Sequence, residues 1–132
     1  MSRRELREQI FKLLFCVEFN DLSEMPQQAA LFFEREAPME DSDKNEIHEK
    51  YEKILAKKEE LDGLLDEKAS GWKVSRMGKV DLTILRLALF EMLYDEDVPV
   101  SVAINEAVEL AKKFGQTESP SFVNGVLAKF AD

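Results

Sequence analysis

Val80 to Tyr94 is the most apolar stretch of the chain, and it leaves little freedom in what the chain can fold into. At about 100° per residue, Leu82, Ile84, Leu85, Leu87, Leu89, Phe90, Met92 and Leu93 cover nearly every face of a helix. A helix that is apolar all round belongs at the centre of a bundle, enclosed by other helices. Arg86 and Glu91 fall inside it, and a lone buried charge is costly, so both are expected to be paired. Glu106 and Glu109 are the candidate partners for Arg86.

The flanking segments supply the helices that such a centre needs. Leu6, Ile10, Leu13, Leu14 and Val17 recur at helical spacing from Arg3 to about Phe19, with Ser2 in place as N-cap. Ser23 as N-cap and Pro26 in the first turn predict a short second helix on Ala29, Ala30, Phe32 and Phe33, ended by Pro38. Asp41 or Ser42 opens a longer one carrying Ile47, Tyr51, Ile54, Leu55, Leu61, Leu64 and Leu65, either continuous to Ala69 or broken near Gly63. Trp72 to Lys79 reads as a connection with room for one helical turn, and Trp72 is expected to be a core or lid aromatic. Ser101 to Phe114 places Ala103, Ile104, Ala107, Val108 and Ala111 on one side and stops at Gly115. A last helix bears Phe122, Val123, Val126, Leu127 and Phe130. Gly125 within it predicts close packing on another helix, because a helical glycine otherwise weakens the helix by about 1 kcal/mol. With five Gly, four Pro and no strand pattern, the chain is expected to form one all-α domain over residues 1–132.

His48 is the sole histidine and Cys16 the sole cysteine, so neither a multi-ligand metal site nor an intramolecular disulfide is expected. No glycine-rich phosphate loop, nucleophile elbow or Cys–His pairing is present. The expectation is a binding protein without a cofactor rather than an enzyme. No apolar run approaches the ~18–20 residues that span a bilayer, and no signal core follows the N-terminus, so a cytoplasmic location away from membranes is expected.

The formal charge is −9, yet residues 1–12 hold Arg3, Arg4, Arg7 and Lys12 against Glu5 and Glu8. A basic first helix therefore belongs to an acidic body. On that helix Arg3, Arg4, Arg7, Phe11 and Phe15 share one arc beside the apolar stripe. Cations interleaved with aromatics suit phosphates and bases together. A wide core stripe with charged edges accounts for the same pattern.

One string goes beyond what periodicity demands. It comprises Asp81-Leu82-Thr83-Ile84-Leu85-Arg86-Leu87-Ala88, Glu91, Val98-Pro99, Val102 to Lys112, Phe114-Gly115 and Phe122-Val123-Asn124-Gly125-Val126-Leu127. In these blocks and their spacing the chain resembles the NusB family of bacterial transcription antitermination factors. The resemblance covers the whole chain and is most specific over about residues 76–130. It implies an all-α fold, a compact bundle of about six to seven helices in two packed helical subdomains. It also implies binding to the single-stranded boxA RNA of ribosomal leader transcripts as a heterodimer with NusE, a ribosomal protein. Further Nus factors and RNA polymerase complete the assembly, and family members resemble either monomers or homodimers.

The resemblance carries RNA contact onto Arg3, Arg4 and Arg7, with Glu5 where many members have another arginine. It also carries RNA contact onto Phe15, Phe122 and the adjacent Glu118, and NusE contact onto Asp81. Each has a plainer reading: Phe122 as core, and Asp81 as an acid set against a helix dipole. Asn105, Glu106, Asn124 and Gly125 read as structural, the polar ones capping or pairing between helices. Two other functions fit the residues. One is the NusB-like module attached to ribosomal RNA methyltransferases; the other is an interaction protein that binds NusE or itself without RNA.

Overall fold

The computed structural model describes residues 1–36, 38–69 and 71–131. Among them are seven α-helices, α1 (Arg3–Phe15), α2 (Met25–Arg35), α3 (Asp41–Ala56), α4 (Lys58–Lys68), α5 (Lys79–Tyr94), α6 (Val100–Phe114) and α7 (Ser119–Ala128), and no strands. They divide into two compact units, Met1–Leu55 and Ala56–Asp132. None of the described helices is long and apolar enough to cross a membrane.

In the first unit, α1 starts where a reciprocal cap starts it. The Glu5 N–H donates to Ser2 Oγ and the Ser2 N–H to Glu5 Oε1, both at 3.1 Å. This capping box satisfies two backbone donors that the first turn would leave open. Leu6, Ile10, Leu13 and Leu14 are buried as the periodicity predicts, and the helix tightens into a 3-10 turn over Cys16–Phe19. Ser23 is not the cap of α2. A 3-10 turn over Leu22–Glu24 precedes that helix, closed by the Asp21 N–H donating to Glu24 Oε1 at 3.2 Å. Ile47, Tyr51 and Ile54 are the buried side of α3. Tyr51 brings its hydroxyl inside with no hydrogen-bond partner among the described residues, and burial pushes its pKa up to about 12.

The long helix expected from Asp41 breaks at Lys57 rather than near Gly63. Gly63 lies within α4 with open space where a side chain would be. In the second unit α5 packs on α4, α6 and α7, and every residue from Leu82 to Glu91 is buried. Arg86 finds a partner that the helix pattern did not suggest. Its Nε donates to Asp62 Oδ1 at 2.8 Å and its Nη2 to Oδ2 at 2.9 Å, so the guanidinium is held bidentately by α4. Trp72 is not a core residue: it is 51% exposed in the connection before α5, next to a 3-10 turn over Val74–Arg76.

Gly115 ends α6 where the sequence reading places it, but for a different reason, and Gly125 departs from its reading. Gly115 ends α6 with an extended backbone (φ −94°, ψ −167°), so a left-handed conformation is not what selects it. Space selects it: a Cβ there would lie 2.6 Å from Ser119 Cβ and Oγ and 2.8 Å from the Ala111 carbonyl. Ser119 cannot easily yield, because it is buried and its Oγ accepts the Gln116 N–H at 3.0 Å. Gly125, expected to pack closely, faces open space. Gly115→Ala is therefore expected to lower stability by about 1–3 kcal/mol through overpacking. Gly125→Ala should raise it by about 1 kcal/mol through helix propensity. Denaturant unfolding of the two variants checks both, and equal signs would contradict the assignment.

Candidate nucleic-acid interface

The first unit carries the arginines. Arg3 and Arg4 stand exposed in the first turn of α1. Arg3 has a side chain 74% exposed and is ion-paired with Glu46 of α3, itself 40% exposed. An ion pair this open is worth little, on the order of 0–1 kcal/mol, so a phosphate can displace the carboxylate at small cost. Arg7, one turn on, is 8% exposed. Its guanidinium belongs largely to the interior, and the cationic edge narrows to Arg3 and Arg4. Glu5, standing where the resemblance has another arginine, is committed to the capping box, and its hydrogen bonds to Ser2 hold its carboxyl below the ordinary range.

Three aromatics of this unit form a ladder at i,i+4 spacing. Phe11 is buried, Phe15 is partly buried and Phe19 is 62% exposed. Phe11 and Phe15 stack with centroids 5.9 Å apart, and Phe15 meets Phe19 edge to face at 5.0 Å. Such pairs fix ring positions, and here the ladder leads from the interior to an open ring. Sequence reasoning stopped at Phe15. Phe19 continues the same spacing and was legible, but it lies beyond the α-helix, in the 3-10 turn.

The second unit holds the other candidates. Glu118 caps α7 through its backbone only, with the Phe122 N–H donating to its carbonyl at 3.0 Å, and its carboxylate is exposed. Val123, Val126 and Leu127 are the buried side of α7, which leaves Phe122 half-buried at the rim. There its ring meets Trp72 edge to face at 5.4 Å. Asp81 is half-buried in the first turn of α5, well placed against the helix dipole. Asn105 and Asn124 are exposed rather than buried between helices.

Arg3, Arg4, Arg7 and Phe15 thus share one helix, and Glu118 and Phe122 one helical turn, while Asp81 stands on a separate helix from both groups. His48 pairs with Glu52, Nε2 to Oε1 at 3.3 Å. Among the described residues no group of three or more His, Cys, Asp or Glu side chains is arranged to hold a metal ion.

The model of the NusB family matches residues 4–132. The chain is 52% identical over 131 residues to the transcription antitermination protein NusB of Agathobacter rectalis, covering 99% of this chain and 100% of that one. It is 48% identical to the protein of the same name from Lachnoclostridium phytofermentans, over the full length of both. Among solved structures it is similar to T. maritima NusB, with a TM-score of 0.85 at 31% identity, covering 99% of this chain and 91% of that one. A similar fold, with a TM-score of 0.80 at 20% identity, occurs in a structure of the antitermination factors NusB and NusE in complex with double-stranded RNA, covering 96% and 92% of the two chains. A capped basic first helix, an apolar α5 held by α4, α6 and α7, and a family match from residue 4 to the last residue agree on one conclusion: this chain belongs to the NusB family.

Proposed function

We propose that this chain is an RNA-binding transcription antitermination factor. It binds boxA RNA of ribosomal leader transcripts together with NusE and, with other Nus factors on RNA polymerase, supports processive ribosomal RNA synthesis in the cytoplasm. The observation that carries this reading is the 52% identity, over essentially the whole of both chains, to a transcription antitermination protein. In the first unit Arg3 and Arg4 supply the exposed cations, with Phe15 and the largely buried Arg7 on the same helix. In the second, Phe122 offers an aromatic ring and Glu118 tunes the field around it. Asp81 is assigned to NusE. A net charge of −9 suits a basic ribosomal partner, since complementary fields speed encounter and reject wrong partners.

The mechanism follows from single-strand recognition: bases splay onto aromatic rings while arginines hold phosphates and release their counterions. With Arg3 paired to Glu46, Arg7 turned inward and Glu5 in place of a cation, RNA affinity here leans on the partner. The test is a mobility-shift assay with boxA RNA at low salt, with and without NusE. A shift that is weak alone and strong with NusE is expected. No shift in either condition would overturn the reading, and NusE binding with a flat RNA titration would identify an interaction protein instead.

A further inference from the structure

The most basic stretch of this acidic chain is not its first helix. Residues 68–80 contain Lys68, Lys73, Arg76 and Lys79 and no acidic residue, whereas residues 1–12 balance four cations against two acids. This strap joins α4 to α5, and its described residues are held at several points. Gly71 turns the chain at φ +77°, a conformation that favours glycine, and the Trp72 N–H donates to the Ala69 carbonyl at 2.8 Å. The Val74 N–H donates to Asp66 Oδ1 at 2.7 Å, and Met77 anchors the far end by burial. On this anchored strap Trp72, Lys73 and Arg76 are all exposed.

Trp72 is the single tryptophan of the chain, and leaving it 51% open calls for a physical reason. The Phe122 ring meets it at 5.4 Å with the planes 70° apart. An edge-to-face pair leaves at least one face of the indole uncovered by the phenyl ring. The arrangement sets an orientation without using up the stacking surface. An apolar protein partner would explain the exposed ring but not the cations flanking it in a chain of net charge −9. A polyanion carrying flat rings explains both.

We propose that Trp72 is a base-stacking residue that extends the RNA-contacting surface of the second unit beyond Phe122, with Lys73 and Arg76 holding the adjoining phosphates. The occupant is a single-stranded RNA segment. This rests on the RNA-binding reading above and adds to it a platform, supplied by the strap, that the recognised blocks of sequence do not contain. Stacking on an aromatic ring tolerates any base, so Trp72 contributes affinity and RNA path rather than sequence choice.

The single tryptophan makes the test direct. Fluorescein-labelled boxA RNA is titrated into the full chain with a tryptophan-free NusE, following anisotropy for binding and indole emission for position 72. RNA is expected to quench the emission in step with the anisotropy. Trp72→Ala should weaken RNA binding about 30-fold, the middle of the range for losing one stacked base, and Trp72→Phe should recover most of it. Lys73→Ala with Arg76→Ala should lower the salt slope by about 1.4, with helicity and NusE binding unchanged. RNA binding by anisotropy with unaltered emission, and a Trp72→Ala affinity within twofold of the parent, would overturn the proposal and leave the RNA-binding reading intact. Quenching by NusE alone, with no further change on adding RNA, would overturn it in favour of a protein-docking ring. No anisotropy change at low salt with NusE present would remove the RNA-binding reading, and the platform with it.

Discussion

Asp62→Ala is expected to destabilise the second unit by about 3 kcal/mol, the low end of the cost of breaking a buried ion pair by removing one partner. Asp62 is a half-buried residue of α4, and in the parent its carboxylate accepts from both Nε and Nη2 of Arg86. Arg86 sits in the middle of α5 with a side chain 8% exposed, in a run whose every residue from Leu82 to Glu91 is buried. Removing the carboxylate strips the guanidinium of its bidentate acceptor without giving it water in exchange. The cost is desolvation, not the lost attraction as such. Two companion variants separate these contributions. Asp62→Asn keeps one oxygen acceptor and should lose less. Asp62→Leu combined with Arg86→Met replaces the pair by apolar groups of similar size and should recover most of the loss. Chemical denaturation of the three variants provides the check. A loss below about 1 kcal/mol for Asp62→Ala would mean that other groups around Arg86 satisfy it alone.

Arg86 also marks where a sequence stops being legible. That Val80 to Tyr94 would be a central helix, and that its charges would be paired, followed from the apolar pattern. That Asp62 would be one of the partners did not follow, because Asp62 belongs to the stretch whose helix boundaries are least defined by the pattern. The break at Lys57 was invisible for a related reason. No glycine or proline marks it, while Gly63, which does look like a breaker, is absorbed inside α4 because nothing crowds it. Gly115 was placed correctly at the end of α6 on the wrong grounds, since it is needed for the approach of Ser119 and not for its φ.

The candidate site was legible in its residue types and not in their exposure. Helical geometry put Arg3, Arg4, Arg7, Phe11 and Phe15 on one arc, but an arc is about a third of a helix, and only part of it reaches water. Arg7 and Phe11 fall on the inner side of that boundary. Trp72 was misjudged in the opposite direction, because a lone tryptophan is usually core. Only its pairing with Phe122 and the anchored strap beneath it account for a ring left open.

The largest functional effect expected from the first unit comes from its two exposed cations, not from all three arginines. Arg3→Ala with Arg4→Ala should flatten the dependence of log affinity on log salt by about 1.4, because each phosphate contact to a single strand contributes a slope of about 0.7. With parent and double variant equal at about 1 M salt, that slope gives a loss of roughly 70-fold in affinity at 50 mM and about 10-fold at 200 mM. Glu46→Gln should act in the other direction. It releases Arg3 from an ion pair worth under about 1 kcal/mol and should tighten RNA binding by a few-fold at most. Arg7→Ala separates the two roles that the helix combines. A guanidinium 8% exposed should register as lost folding stability with a nearly unchanged salt slope. Fluorescence anisotropy of labelled boxA RNA with NusE, measured across a salt series, reads all three slopes, and circular dichroism confirms that α1 stays helical. If Arg7→Ala lowers the slope by about 0.7, the value of one full phosphate contact, the interior position of its guanidinium is not the one that meets RNA, and α1 rearranges on binding. If instead the double variant keeps the parent slope, the phosphates are held elsewhere on the molecule. The acid-free strap from Lys68 to Lys79 is then the surface to which the charge dependence belongs.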